Sequence, residues 1–484
     1  MPTPITGPAY TQNTTNADVD RAVNLYPEVQ EGRIAWVSTP GSTLLKDATT
    51  LNANMTPIRG IYTASDGTLY VAGGVNAIGY LYSFNGVSTW TDETSATLLN
   101  YGSSGPVTFV DNGTTLLIAT PNGKSYTVPL GGGALSTTTT YTGGITGYPV
   151  FLDGFVAYCR ADNNSVQVSG PYDVSTANGW NALDIRKAES SPDDLMSLAT
   201  LNRQMFVFGT RSVEVWASSG STDYPFAPVG GAPLPVGLIG QYAVASTDRA
   251  VYWLGASPNG YPAIYGSTGT EPERVSTRAI ERILANATLA NLQACVAWTY
   301  QDQGHVFIGF NITVATGSAT STTLVYDQTT RLWHERRNST MATQHPGDYW
   351  AAAYGAVYCG GSGSAYVRQL SRTAATDYNT LVIQRERTAW HSLDRLGRVS
   401  WPEYELEIDA LAAGGTVPFT VEVSDDGGYT WLSLGTYTAQ KLSRTTNRLV
   451  VTRAGNSRDR AWRFKSTTAA TSAYTILDAR ARVA

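Results

Sequence analysis

LMSLATLNRQMFVFGTRSVEVWASSGSTDYPFAPVGGAPLPVGLIGQYAVASTDRAVYWLGASPNGYPAIYGSTGTEPERVSTRAIERIL, residues 195–284, is the stretch from which the fold can be read. Apolar runs of four to six residues alternate with turn clusters. MFVFG (205–209) and VEVWA (213–217) flank Thr210-Arg211-Ser212, a hairpin signal. AVYWLG follows the turn Ser246-Thr247-Asp248-Arg249, and Asn259-Gly260 marks the next reversal. The period then changes. In STRAIERIL, Ile280, Ile283 and Leu284 fall at helical spacing. Ser276 or Thr277 can accept from the first free amides as N-cap. No Glu or Gln stands three residues after either, so there is no capping box.

Outward from this stretch a theme recurs: strand, turn with Asp or Asn and Gly, strand. It appears as IRGIYTASDGTLYVAGG from Ile58, VTFVDNGTTLLIATPNG from Val107 and YPVFLDGFVAYCRA from Tyr148. Further copies are LATLNRQMFVFG from Leu198, AVASTDRAVYWLG from Ala243, ACVAWTYQDQGHVFIGF from Ala294 and DYWAAAYGAVYCGG from Asp348. Starts are roughly 40 to 55 residues apart, the period of a β-propeller with four short strands per blade. The runs ending at Trp90 and Trp333 suit third and fourth strands of a blade. An irregular β-sandwich array is the alternative. The reading is all-β: a propeller of six or seven blades over 51–380, with a helical insertion near 276–292. Before it, residues 1–50 are extended, with Arg21–Tyr26 (RAVNLY) as one strand. From Val382 the period lapses into longer alternating strands, which suit a β-sandwich over 381–484. The Gly/Thr segment 130–144 reads either as a loop or as an exposed hairpin reaching a neighbour.

Composition agrees. Charged residues are 15% of the 484, against about 25% in average soluble proteins. No apolar run approaches the roughly 18 residues of a membrane span. The start, MPTPITGPAYTQ, lacks a basic region and an apolar core, so no signal peptide is expected. Cys159, Cys295 and Cys359 lie too far apart for a disulfide framework or zinc site.

Two constellations stand out. SDDGGYTW supplies Ser424, Asp426, Gly428, Thr430 and Trp431, the Asp-box pattern. In it Asp426 bonds local amides, Gly428 takes positive φ, and Trp431 plugs the strand behind. Glu403, Glu405, Glu407 and Asp409 alternate with apolar residues, which puts four carboxylates on one strand face. Paired carboxylates can hydrolyse glycosides, but a solvated sheet face or a charged contact surface has the same pattern. Arg385, Arg387, Arg395 and Arg398 are placed to pair with that face. Arg453, Arg458, Arg460, Arg463 and Lys465 read as a second, solvated basic group. His305, His334, His345 and His391 show no metal-ligand spacing, and no nucleophile, phosphate-loop or dinucleotide motif occurs. No catalytic, metal-binding or cofactor-binding residue is therefore expected.

FVFGTRSVEVW, Pro225-Phe226, GLIGQYAV from Gly237, VYWLG from Val251 and RVSTRAIE from Arg274 together resemble the packaged-DNA stabilisation, or tail hub and nozzle, proteins of short-tailed bacteriophages. AVNLYPE from Ala22, STPGS from Ser38 and SDDGGYTW fit the same family in the same order. The resemblance implies a virion tail protein made in the host cytoplasm, in a cyclic ring of six below the portal. Its partners would be a portal-side adaptor, a tail fibre or tailspike, and a tail needle or plug. Double-stranded DNA would pass through without sequence-specific binding. The alternative from another class is a carbohydrate-binding or carbohydrate-active propeller of sialidase type.

Overall fold

The seven copies of the strand–turn–strand theme each open a sheet. The structure is a computed structural model. It describes the chain except residues 1–2, 12–18, 31, 76–77, 95–97, 103, 139–143, 163, 175–178, 182, 189–192, 222, 230–232, 258–259, 270, 313–320, 379, 393–396, 411–414 and 442–445. Blades 1 to 4 span 58–92, 108–138, 145–187 and 195–228, each four antiparallel strands. Blade 5 spans 244–274 and gains a short extra strand, Gly237–Leu238. Blade 6 spans 296–336, and blade 7 begins at Tyr349. Inner strands pack on one another from blade 2 round to blade 7, Tyr349–Ala353 returns to Ile58–Thr63, and blades 1 and 2 meet through the Tyr62–Phe109 stack and the bond from the Val107 amide to the Arg59 carbonyl. The result is a seven-bladed β-propeller.

Turn chemistry explains why the hairpins close where they do. Asp153-Gly154 has φ of 49° and 94°, and Asn202-Arg203 has 49° and 60°. Two consecutive positive values are what a two-residue hairpin of matching twist requires.

Blade 7 supplies only three strands of its own. Its outer strand is β4 (Gly41–Asp47), which pairs antiparallel with Tyr366–Ser371. Three other N-terminal strands are used elsewhere: β1 (Arg21–Val23), β2 (Leu25–Gln30) and β3 (Arg33–Ser38). β1 lies between Leu332–Arg336 of blade 6 and Glu386–His391, and so fuses blade 6 with one sandwich sheet into nine strands. β2 and β3 extend the other sandwich sheet through Tyr474–Arg482. RAVNLY is therefore two strands in two sheets, not one. The break is Asn24, at φ 56°. Its Nδ2 donates to the Gln384 carbonyl and its Oδ1 accepts from the Arg337 amide, which holds the kink.

The sandwich core is made by Tyr404, Leu406, Ile408, Phe419, Val421, Trp462, Phe464 and Ile476, and it runs without interruption into blades 4 to 6. The helical insertion forms α1 (Arg278–Ala285) and α2 (Leu289–Gln293), which bury Ile280, Leu284 and Leu292. Thr277 is the N-cap of α1. In the Gly/Thr segment residues 131–134 form an exposed loop, one of the two expected forms. Its Ser136–Thr138 is the outer strand of blade 2, paired with Ser125–Thr127; residues 139–143 lie outside the described set.

Glu335 ties β1 in place. The carboxylate is fully buried and accepts from Tyr10 Oη (2.7 Å), Arg21 Nε (2.9 Å), Thr322 Oγ1 (2.7 Å) and Arg337 Nη2 (3.0 Å). Burial alone would raise its pKa; the Arg21 and Arg337 charges overcome that and hold it at about 2. Glu335→Gln should cost about 3–5 kcal/mol, because two guanidinium groups lose their counter-charge. The carboxylate's folded pKa lies below its unfolded value of 4.5. Its contribution is thus complete above 4.5 and is lost as pH falls through about 2. Denaturant titrations of wild type and variant at pH 7 check this; equal midpoints would contradict it.

Candidate functional site

The inner strands of all seven blades face a central channel of about 390 Å³. Gly60, Thr108, Val150, Ala199, Ala245 and Ala297 keep it open, while Tyr62, Phe109, Tyr148, Trp298, Tyr349 and Trp350 narrow it. Trp350 stacks on Trp298 at 4.4 Å and on Tyr300 at 4.8 Å. Arg336 lies over Tyr300 and Phe307, 5.1 and 4.7 Å from the ring centres. Among the channel-lining residues Asp348 is the one carboxylate. It accepts from Asn311 Nδ2, the Ser362 amide and Ser362 Oγ at 2.6–2.7 Å. These donors bind it into the wall between blades 6 and 7.

The first hairpin turns of blades 5, 6 and 7 border an open groove of about 1200 Å³. Asp248, Arg249, Asp302, His305, Tyr354 and Arg372 line it, with Arg372 paired to Asp302. His305 Nδ1 meets the fully buried Asp327 at 2.7 Å. That hydrogen bond raises the histidine pKa against the opposing effect of burial. Residues 22 apart at the two ends of a hairpin carry no spacing signal, and sequence reading missed this pair. His334, His345 and His391 are depressed instead, first by burial and then by arginine charge; His345 and His391 are held at about 3. Among the described residues no group of His, Cys, Asp and Glu is arranged to hold a metal ion.

The Asp-box residues sit on the sandwich, at the hairpin between Pro418–Ser424 and Leu432–Thr438. Asp426 accepts from the Thr430 amide (3.0 Å), Thr430 Oγ1 (2.5 Å) and Ser424 Oγ (2.7 Å). Those bonds lower its pKa to about 2. Gly428 has φ 91° and donates its amide to Ser424 Oγ. Trp431 differs from expectation. It is half-buried rather than plugging a core, and its ring carries the Arg463 guanidinium at 4.0 Å.

Glu403, Glu405, Glu407 and Asp409 do share one face of Glu403–Ala410, with Tyr404, Leu406 and Ile408 buried behind them. The strand is internal to its sheet, between Thr446–Thr452 and Tyr474–Arg482. The cations beside it are therefore Arg448, paired with Glu403 and Glu405, and Arg480 and Arg482, opposite Glu405 and Glu403. Arg385 and Arg387 are not: both are buried on the other sheet. Arg387 binds Asp20 Oδ1 (2.6 Å) and the carbonyls of Pro4, Ile5 and Gly7 (2.9–3.0 Å), clamping the N-terminal segment over Trp36. Arg395 lies outside the described residues. Arg460 also departs from the solvated group; it is 3% exposed and paired with Asp425. Sheet order decides all of these, and the strand pattern does not encode sheet order.

Compared with known proteins, the chain matches the family model described as bacteriophage P22 Gp10, beta-propeller, over residues 23–375. Among solved structures it is similar to the computationally designed Ika8 protein. The two are 12% identical, covering 66% of this chain and 96% of that one, with a TM-score of 0.38, too low to support any argument. No curated protein matches.

The histidines set a pH dependence. A histidine whose folded pKa is depressed takes its proton preferentially when unfolded, so stability falls as pH drops below the unfolded value of 6.5. Each of the three contributes a slope of about 1.4 kcal/mol per pH unit there. His305 has the opposite sign: its contribution is full below 6.5 and is lost as pH rises through its raised folded value. Melting temperature should therefore fall steadily from pH 6.5 to 4.5, and His391→Phe should flatten the fall. An unchanged melting temperature across that interval would refute the assignment.

Proposed function

The chain belongs to the phage DNA-stabilisation family of β-propellers, and from that we propose that it is a structural subunit of the virion tail rather than an enzyme. In this reading copies form a cyclic ring, six by the family resemblance, that closes the portal channel, retains packaged DNA and conducts it during ejection. The ring would meet a portal-side adaptor, a tail fibre or tailspike, and a needle or plug.

The observation that carries the reading is the extent of the family match, from β1 to the end of blade 7. Two features of the molecule support it. The propeller channel, about 390 Å³, has the size of a small-molecule pocket, roughly 300–1,000 Å³. In this reading duplex DNA runs beside the propellers, in a lumen framed by several copies. Charge agrees with sliding. The chain carries net −5; from Val382 onward Lys and Arg number 14 against 11 Asp and Glu, which leaves −8 on the rest. A wall with few cations neutralises few phosphates and so does not grip.

A ring contact needs an unguarded surface. The outer strands of blades 1 to 5 are three residues each, short edges that discourage pairing. The sandwich edge Leu432–Thr438 is different: seven residues, without charge or proline, paired on one side only and with one register shift. We assign it to the contact with the neighbouring subunit. Reconstruction of the tail tests the ring, and a single copy per virion would refute it. Thr436→Lys, at an exposed position, should keep monomer stability within about 0.5 kcal/mol and reduce incorporation into tails. With linear duplex at about 0.15 M salt, binding should be no tighter than about 10⁻⁶ M; nanomolar binding with a steep salt slope would overturn the sliding argument.

A further inference from the structure

Behind the closure of blade 7 lies a cavity of about 20 Å³, lined by Gly41 and Ser42 of β4, Arg336 of blade 6, and His345, Cys359 and Arg368. One water-sized particle needs about 10–15 Å³ by the same kind of measure. A tetrahedral oxyanion, with five heavy atoms, does not fit.

The cavity is lined by three guanidinium groups, of Arg336, Arg337 and Arg368, against one carboxylate, that of Asp377. Arg336 and Arg368 are each 2% exposed. Arg336 donates from Nε to His334 Nε2 (3.2 Å) and from Nη1 to Tyr300 Oη (2.5 Å). Among the described residues no carboxylate pairs with it, and its Nη2 has no partner. Arg368 Nε also lacks a partner. Its nearest carboxylate, Asp377, is 4.0 Å away and already accepts from Ser42 Oγ and the Tyr378 amide. His345 cannot compensate: burial and the charges of Arg336 and Arg368 hold it at about 3, hence neutral. Nearby, Arg385 is fully buried and its Nη groups donate to two backbone carbonyls, of Ile383 and Thr39. Buried guanidinium N–H groups left unpaired are costly, and an anion is what removes that cost.

We propose that this cavity is a halide site, in which a chloride bridges Arg336 and Arg368 and fastens β4 into blade 7. The full-length protein tests it in two ways. The first is melting in sodium chloride against sodium gluconate at equal ionic strength. Above saturation, each tenfold rise in chloride should raise the melting temperature by on the order of 1–2 °C. Arg336→Met and Arg368→Met should abolish that dependence. The second is anomalous scattering from wild-type crystals grown in bromide, which decides the matter even if both variants fail to fold. A bromide peak in the cavity is expected. A water or an empty cavity there, equal melting in the two salts, or variants that keep the chloride dependence would each overturn the proposal.

Discussion

Glu335 stands at the seam between the last strand of blade 6 and β1, and accepts from Tyr10, Arg21, Thr322 and Arg337. Those donors come from the N-terminal segment, from β1 and from blade 6 itself. One desolvated carboxylate therefore holds segments more than 300 residues apart in sequence, such as Tyr10 and Glu335, 325 apart. With β1 in place, blade 6 and the sandwich share a sheet. Arg387 repeats the device one strand further on, with Asp20 and three carbonyls of the first residues.

Arginine does most of this work, in a chain with a low share of charged residues. Arg336, Arg368, Arg385 and Arg387 are among its largest fully buried side chains. A planar guanidinium with five donors reaches several carbonyls at once and also lies flat on aromatic rings, as Arg387 does on Trp36 and Arg368 on Tyr378. Lysine satisfies neither demand. This is why Arg385, Arg387 and Arg460 of the C-terminal part are internal fastenings.

The seven inner hairpins were legible because each is local: two alternating runs and a turn, with a residue at positive φ in all but blade 5. Ser136–Thr138 was not, since three residues of Ser and Thr carry no pattern and become a strand only beside Ser125–Thr127. The N-terminal strands were legible as extended chain but not in their destinations. Asn24 changes sheet through bonds to Gln384 and Arg337, residues that nothing local connects to it. For the site, the Asp-box geometry around Asp426 followed from its own spacing. His305–Asp327 is created by strand register within blade 6, and the Arg336–Arg368 cavity by the closure of the propeller.

β4 has a further consequence, for the order of events on the ribosome. The strand that completes blade 7 is made among the first 50 residues, and its partner Tyr366–Ser371 more than 300 residues later. β2 and β3 wait longer still, for Tyr474–Arg482 at the chain's end. At roughly 5–20 residues per second, the N-terminal strands spend tens of seconds with unpaired edges. Blades 1 to 5 can form as they emerge, but the circle cannot shut until synthesis is nearly finished. A chain terminated before Ser371 is thus an open arc, without the strand that β4 needs to complete blade 7.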